Sequence, residues 1–252
     1  MKKYILLFYF IFNMVNSFGQ NSIKEDLKDS LNYDKYNILN IDASLDVELL
    51  PQIKKFTKVR RLFIRNMNEF IPEITKLKNL YQLKIINSTF ETLPSNFGDL
   101  ENLKELEIDA NLKELPASFE KLQKLTDLYL NGNSFTSFPK EITKLMSLKS
   151  LILDENKIIE IHSDIQYMIG LEGLSLTSNK IEKLPKEMGK LKSLILLDVS
   201  SNPLKDLPME LAKLPHLMNI VIKDTFISKE TQIQFQEYAK PRKIGIMANK
   251  DK

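Results

Sequence analysis

A phrase that begins at Leu171 begins again 23 residues later at Leu194. The first copy reads Leu-Glu-Gly-Leu-Ser-Leu-Thr-Ser-Asn-Lys-Ile-Glu-Lys-Leu-Pro, and the second Leu-Ile-Leu-Leu-Asp-Val-Ser-Ser-Asn-Pro-Leu-Lys-Asp-Leu-Pro. A unit this short cannot bury its apolar face alone, so units must stack and build their core from neighbours. Aligned on the first leucine of the phrase, units start at Val59, Leu80, Leu103, Leu125, Leu148, Leu171, Leu194 and Leu217. The spacings are 21, 23, 22, 23, 23, 23 and 23. A degenerate unit precedes them, with Leu39 and Ile41 as its strand and Leu50-Pro51-Gln52-Ile53 as its return.

The fourth and sixth residues of every unit are aliphatic, from Leu62 and Ile64 to Ile220 and Ile222. That period of two marks the inward face of a short strand and fixes its register. Leu-Pro or a close variant follows, at Pro51, Pro72, Pro94, Pro116, Pro139, Pro185 and Pro208. Proline suits the start of a return segment because its φ is preset. After it, pairs such as Ile142 and Leu145 share one face of a helical turn.

The whole phrase, L-x-x-L-x-L-x-x-N-x-L followed by L-P, resembles the leucine-rich repeat family, in the form found in short secreted bacterial proteins. The resemblance implies an α/β solenoid, or horseshoe. A parallel β-sheet would line its concave face, with short helical, 3-10 or extended turns on the convex face. It also implies a role for the ninth residue, Asn111, Asn133, Asn156, Asn179 and Asn202. In the family this asparagine points into the turn after the strand, where its amide can donate to and accept from backbone groups left unpaired. Met67, Ser88 and Thr225 hold the same place in the outer units. Two units depart from the pattern: the one at Leu103 is a residue short after Asn111, and the one at Leu148 has Ile161-His162 in place of Leu-Pro.

The ends read differently. Residues 1–19 have the layout of an export signal: Lys2 and Lys3, an apolar run from Tyr4 to Phe12, then Ser17-Phe18-Gly19 before the expected cleavage. The run is shorter than a membrane span requires. An uncleaved anchor is the alternative, and no stable span is expected once the signal is removed. Export would place the protein in the periplasm or outside the cell. Residues 20–58 form an N-terminal cap and the degenerate unit. Ser22 with Glu25 fits a capping box, and Ile23, Leu27 and Leu31 form one helical stripe. A linker is the other reading of that stripe. Units run over 59–225, and 226–252 form a C-terminal cap and tail. There Phe226 and Ile227 read as inward residues. Ser228 caps a helix through Tyr238 that carries Ile233 and Phe235 and is stopped by Pro241, and Lys243-Ile244-Gly245-Ile246 offers a final strand.

Composition removes several function classes. With no cysteine, disulfides, thiolate metal sites and cysteine nucleophiles are excluded, and so is the ubiquitin-ligase chemistry of some relatives in the family. The two histidines, His162 and His216, lie at different phases and should not converge. No metal or other cofactor is expected, and no phosphate-binding or nucleophile-elbow motif is present. Without residues 1–20 the chain holds 34 basic and 33 acidic residues, which gives no argument for nucleic acid. Asp109, Asp127, Asp154 and Glu155 have the oxygens a Ca²⁺ site needs, although a solvated acidic patch is the plainer reading. A hydrolase built on Glu107, Asp127 and Asp154 would need raised pKa values, which an open sheet is poorly placed to supply.

Positions three, five, seven and eight of each unit point out of the sheet. The early units carry a basic cluster, Arg61, Arg65 and Lys84. The next three carry Glu105, Glu107, Asp109, Asp127, Asp154 and Glu155. Phe63, Ile86, Tyr129 and Ile152 lie between and within these clusters. Apolar anchors amid charge resemble a protein-binding patch. The expected function is a secreted, non-catalytic module that binds a protein or peptide on its concave sheet. The alternatives are a carbohydrate or cell-surface adhesion protein, with Phe63 and Tyr129 stacking on sugar rings, and an intracellular scaffold. From Leu171 to Leu204 the outward residues are mostly small, so that stretch reads as scaffold.

Overall fold

The computed structural model describes residues 37–249. The export signal over 1–19 and the cap helix expected after Ser22 lie outside the described residues.

The aliphatic pairs build ten short strands, one per unit and one from the C-terminal segment: β1 (Ile38–Asp42), β2 (Arg61–Arg65), β3 (Gln82–Ile86), β4 (Glu105–Ile108) and β5 (Asp127–Tyr129), then β6 (Ser150–Ile152), β7 (Gly173–Ser175), β8 (Leu196–Asp198), β9 (Asn219–Val221) and β10 (Gly245–Met247). They form one parallel sheet in strict sequence order. Register is in phase with the repeat, so Leu62 faces Leu83, Leu83 faces Leu106, and Leu106 faces Leu128. All sixteen inward strand residues from Leu62 to Ile222 are buried.

Each strand hands over to a turn and a convex return made of 3-10 helix. These returns span Leu50–Lys55, Pro72–Lys76, Phe97–Asp99, Ala117–Lys121, Lys140–Lys144, Ser163–Tyr167, Lys186–Lys190 and Met209–Lys213. Pro116, Pro139, Pro185 and Pro208 stand immediately before their helices, and His162 takes that place in the divergent unit. The third helical residue, such as Ile142, Ile165 or Met188, is buried against the strands. The returns pack tightly on one another: a Cβ on Gly98 would overlap the backbone carbonyl of Ser118 in the next unit.

The turn after each strand contains a feature the sequence did not announce. The eighth residue, Asn66, Asn87, Gly132, Glu155, Ser178, Ser201 or Asp224, has positive φ, between 50° and 65°. Asparagine, aspartate and glycine tolerate this left-handed region best, and Glu155 is the least suited occupant. Its backbone N–H reaches the next unit, as Glu155 N does to Thr177 O at 2.9 Å and Ser178 N to Ser200 O at 3.0 Å.

The unit at Leu103 has no such residue. The missing position therefore lies before Asn111, and the expected gap after it is corrected. Asn111 N bonds Phe90 O, the contact made by the tenth residue elsewhere, as in Lys157 N to Phe135 O. Ala110 then takes the ladder position and is buried, while Asn111 is exposed. Asn111 is not a ladder residue: its Nδ2 meets only Thr89 O at 3.3 Å.

Asn133, Asn156, Asn179 and Asn202 do form a buried ladder. Asn179 is representative. Its Oδ1 accepts from Ile158 N of the preceding unit at 3.0 Å, and its Nδ2 donates to Leu153 O, Leu176 O and Thr177 O at 2.9, 3.0 and 3.2 Å. One amide thus closes its own turn and ties it to the neighbouring one. Ser88 partly substitutes, accepting from Met67 N and donating to Ile86 O, both at 3.1 Å.

At the C-terminal end, helix α1 (Lys229–Tyr238) follows Ser228, whose Oγ accepts from Thr231 N at 3.1 Å. Phe235 is buried and covers the last return, while Ile233 and Tyr238 are exposed. Ile227 is buried, but Phe226 is 71% exposed, contrary to its expected inward place. Phe226 N bonds Leu204 O, the contact made by the exposed tenth residue elsewhere, as in Lys157 N to Phe135 O, and the inward place falls to the next residue, Ile227.

Candidate functional site

The outward strand residues stand in rows across the sheet, because register is in phase. One row runs Arg61, Gln82, Glu105, Asp127, Ser150. The next runs Phe63, Lys84, Glu107, Tyr129, Ile152. At the strand ends, Asp42, Arg65 and Ile86 open a third row, with Asp109 and Asp154 at the same phase in later units. All twelve outward residues named from the sequence therefore lie on one face. They do not act as the separate clusters their order implies.

Lys84 and Glu107 face each other on β3 and β4, with Nζ 2.7 Å from Oε2, and both side chains are three-quarters covered or more. The basic and acidic clusters therefore meet and neutralise one another there. Arg65 is tied by Nε to Asp42 Oδ2 at 2.8 Å. Asp42 also accepts from the Ser44 hydroxyl at 2.6 Å and from Asn66, and its pKa is lowered to about 2. Arg61 Nε donates to the Tyr81 hydroxyl at 2.9 Å. Among the acidic residues, Asp127 accepts from the Thr126 hydroxyl at 2.7 Å, and Asp109 Oδ2 receives a long contact of 3.4 Å from Asn87 N.

Tyr129 sits in the second row but is only 8% exposed. Glu107 and Ile152 flank it in the same row. Burial raises the pKa of its hydroxyl, as does the charge of Asp127, while a hydrogen bond to Ser150 opposes the rise. A ring so covered is a poor stacking platform. Phe63, Ile86 and Ile152 keep part of their surface exposed. They make two apolar spots, one on β2 and β3 and one on β6, separated by the Lys84–Glu107 pair.

Two carboxyls are less acidic than an open sheet would allow, which corrects the expectation drawn from shallowness. Burial pushes Asp154 up to about 6, against hydrogen bonds from Ser175 Oγ at 2.6 Å and Thr177 N at 2.8 Å. Burial also raises Glu105, against a hydrogen bond from Gln82 and with the help of Asp127. These two stand two strands apart in different rows, and Glu107 is held by Lys84, so no carboxylate pair faces a common point. No group of His, Asp and Glu capable of holding a metal ion occurs among the described residues, so the carboxylates considered for Ca²⁺ are not gathered into a site.

A second surface was not singled out in the sequence. On the flank where the strands begin, a groove of about 810 Å³ is lined by Asn37, Lys58, Arg60, Asn79, Tyr81, Asn102, Lys104 and Lys124. These are the residues just before each unit's first leucine and just after it. The signal was in the sequence as a lysine or asparagine before Val59, Leu80, Leu103 and Leu125, at positions usually passed over as linkers. Asn79 Nδ2 donates to Thr57 O at 2.8 Å and Asn102 Nδ2 to Lys78 O at 2.9 Å, so both amides are held in place. The Arg60 and Arg61 guanidiniums lie 5.6 and 5.5 Å from the centre of the Tyr81 ring.

One strand per unit in a single parallel sheet, 3-10 returns opposite, and a buried asparagine ladder at fixed phase define a leucine-rich-repeat solenoid. A family profile described as leucine-rich repeat region matches residues 39–162. The matched repeats belong to the leucine-rich repeat family. Among solved structures it is similar to an internalin (inlF) from Listeria monocytogenes, at 18% identity and a TM-score of 0.67, over 81% of this chain and 59% of that one. An internalin C2 (inlC2) from the same organism gives 24% identity and a TM-score of 0.65, over 78% and 84%. The ectodomain of the plant membrane receptor kinase GASSHO1/SCHENGEN3 from Arabidopsis thaliana, solved in complex with CASPARIAN STRIP INTEGRITY FACTOR 2, gives 25% and 0.61 over 70% and 22%. The chain thus spans less than two thirds of the internalin F and plant receptor structures. No curated protein matches it in sequence. No helix among the described residues is long and apolar enough to cross a membrane.

Proposed function

We propose that the protein is an exported, non-catalytic binding module that takes a protein or peptide on its concave sheet. The fold is one typically used for protein interaction. The observation that carries the reading is the pairing of two partly exposed apolar spots, Phe63 with Ile86 and then Ile152, along a face otherwise lined by charge. β2 and β6 are four strand steps apart, roughly 19 Å, which suits an extended segment or a loop laid across the units. Apolar contacts surrounded by polar ones are the arrangement that gives interfaces their affinity. Similarity to internalins and to a receptor ectodomain supports the same reading and its place outside the cytoplasm. The sugar-stacking alternative on this face loses one of its two rings with the burial of Tyr129. The intracellular-scaffold alternative lacks any specific support.

The test is affinity capture with the chain from residue 20, run beside a Phe63→Asp/Ile152→Asp variant of unchanged melting temperature. A protein retained by the first and lost by the second supports the proposal. A partner held equally by both places binding elsewhere. Asp127→Lys should further change the salt dependence of association, since a rim charge acts mainly on encounter.

A further inference from the structure

We infer that the flank groove at the start of the strands is a second binding site, for an anionic polysaccharide. Its described lining is cationic and polar, with Arg60, Lys104 and Lys124 exposed and no carboxylate among the described lining residues. Four successive units each contribute one or two of these side chains. The groove therefore runs across the strands, and a linear ligand lying in it meets a repeating set of contacts.

Three features separate a glycan from other polyanions. The groove mixes cations with carboxamides that are anchored through nitrogen. Asn79 and Asn102 spend Nδ2 on the carbonyls of Thr57 and Lys78, which leaves Asn79 Oδ1 as an acceptor, while Asn102 Oδ1 takes Lys124 Nζ at 2.6 Å. An acceptor in a cationic groove is wasted on phosphate oxygens, but it serves a sugar hydroxyl, which donates. Second, the one aromatic side chain among the described lining residues, Tyr81, lies under the Arg60 and Arg61 guanidiniums and is not free to stack on bases, the main device of single-strand nucleic-acid binders. Third, no aliphatic residue is among the described lining residues, so these offer no apolar anchor of the kind a protein partner needs. Cations then read the carboxylate or sulfate groups, and Asn79 Oδ1 reads a hydroxyl between them.

The site is distinct from the concave face, and its test is independent of that face. The full chain is titrated with heparin, alginate and neutral dextran, and in parallel with polyglutamate, a single-stranded oligonucleotide and vesicles rich in phosphatidylglycerol. Binding of heparin or alginate, with dextran inert, is the expected result, and the tighter of the two distinguishes sulfate from carboxylate recognition. A Arg60→Glu/Lys104→Glu/Lys124→Glu variant should weaken that binding by about tenfold or more, whereas a convex variant of equal charge change, Lys140→Glu/Lys144→Glu/Lys190→Glu, should change it by less than about twofold. If the groove variant melts early, Lys104→Gln/Lys124→Gln takes its place. Asn79→Ser should weaken glycan binding while leaving polyglutamate unaffected. Equal loss in groove and convex variants, or binding of polyglutamate, oligonucleotide or vesicles as tight as that of the glycans, overturns the proposal, as does no binding of heparin or alginate.

Discussion

Asn179 and Asn111 are the same residue at the same apparent place in the repeat, and the structure gives them opposite weight. Asn179 is buried, with one accepted hydrogen bond and two N–H groups shared among three carbonyls, whereas Asn111 is exposed with one long contact. Asn179→Ala strands a buried N–H and loosens two turns, so it should cost about 2 kcal/mol. Asn111→Ala should stay within about 0.5 kcal/mol. Chemical denaturation of both variants checks the pair. Asp154 carries a second prediction. Its folded pKa, about 6, lies above the ordinary value of 3.8, so the folded state favours the proton. The contribution to stability is fully present below pH 3.8 and is lost as pH rises through 6. The full swing is on the order of 3 kcal/mol. Asp154→Asn should therefore melt higher than the parent at pH 8, and the difference should close by pH 4. A constant difference across that range would show that Asp154 is ionised throughout. Neither property was legible in the sequence, because both depend on what covers a side chain rather than on its spacing.

At the scale of the element, strands and returns were legible and the turn between them was not. Aliphatic spacing is a direct imprint of burial, so the strand phase and the buried residue of each return follow from counting. The turn depends on a backbone angle, and its occupants, Asn66, Gly132, Glu155 and Ser178 among them, share no side-chain chemistry. Only comparison across units shows that the one at Leu103 lacks this residue and sets Ala110 in the ladder. Inserting glycine between Asp109 and Ala110, together with Ala110→Asn, restores the length and the amide. This double change should raise the denaturation midpoint, while Ala110→Asn alone should lower it, because the shortened turn brings no carbonyls into position for the new amide. The candidate site was legible only in part for a related reason. Row membership follows from register, but the Lys84–Glu107 pair and the cover over Tyr129 come from neighbouring strands meeting in space.

At the scale of the whole molecule, stability is a sum of neighbour contacts, because each unit touches only the units beside it. Damage at an end should stay there. Phe235 is the buried residue by which α1 seals the last return. Phe235→Ala should cost about 3 to 5 kcal/mol locally. Hydrogen exchange should show amides of β9 and β10 losing protection while those of β4 to β6 keep theirs. Uniform loss along the sheet would mean that the array unfolds as one cooperative block.

In-phase register has a consequence for how such a surface changes over generations. Each row takes one side chain per unit, so excising one unit leaves every hydrogen-bonding rule intact while bringing strangers together. Removal of residues 148–170 would set Tyr129 beside Ser175 in place of Ile152 and offer Leu130 O to Asn179 in place of Asn156. The chain would fold by the same contacts and display a different message. The set of side chains on the concave sheet can thus be changed by recombination in whole units, with the in-phase register kept.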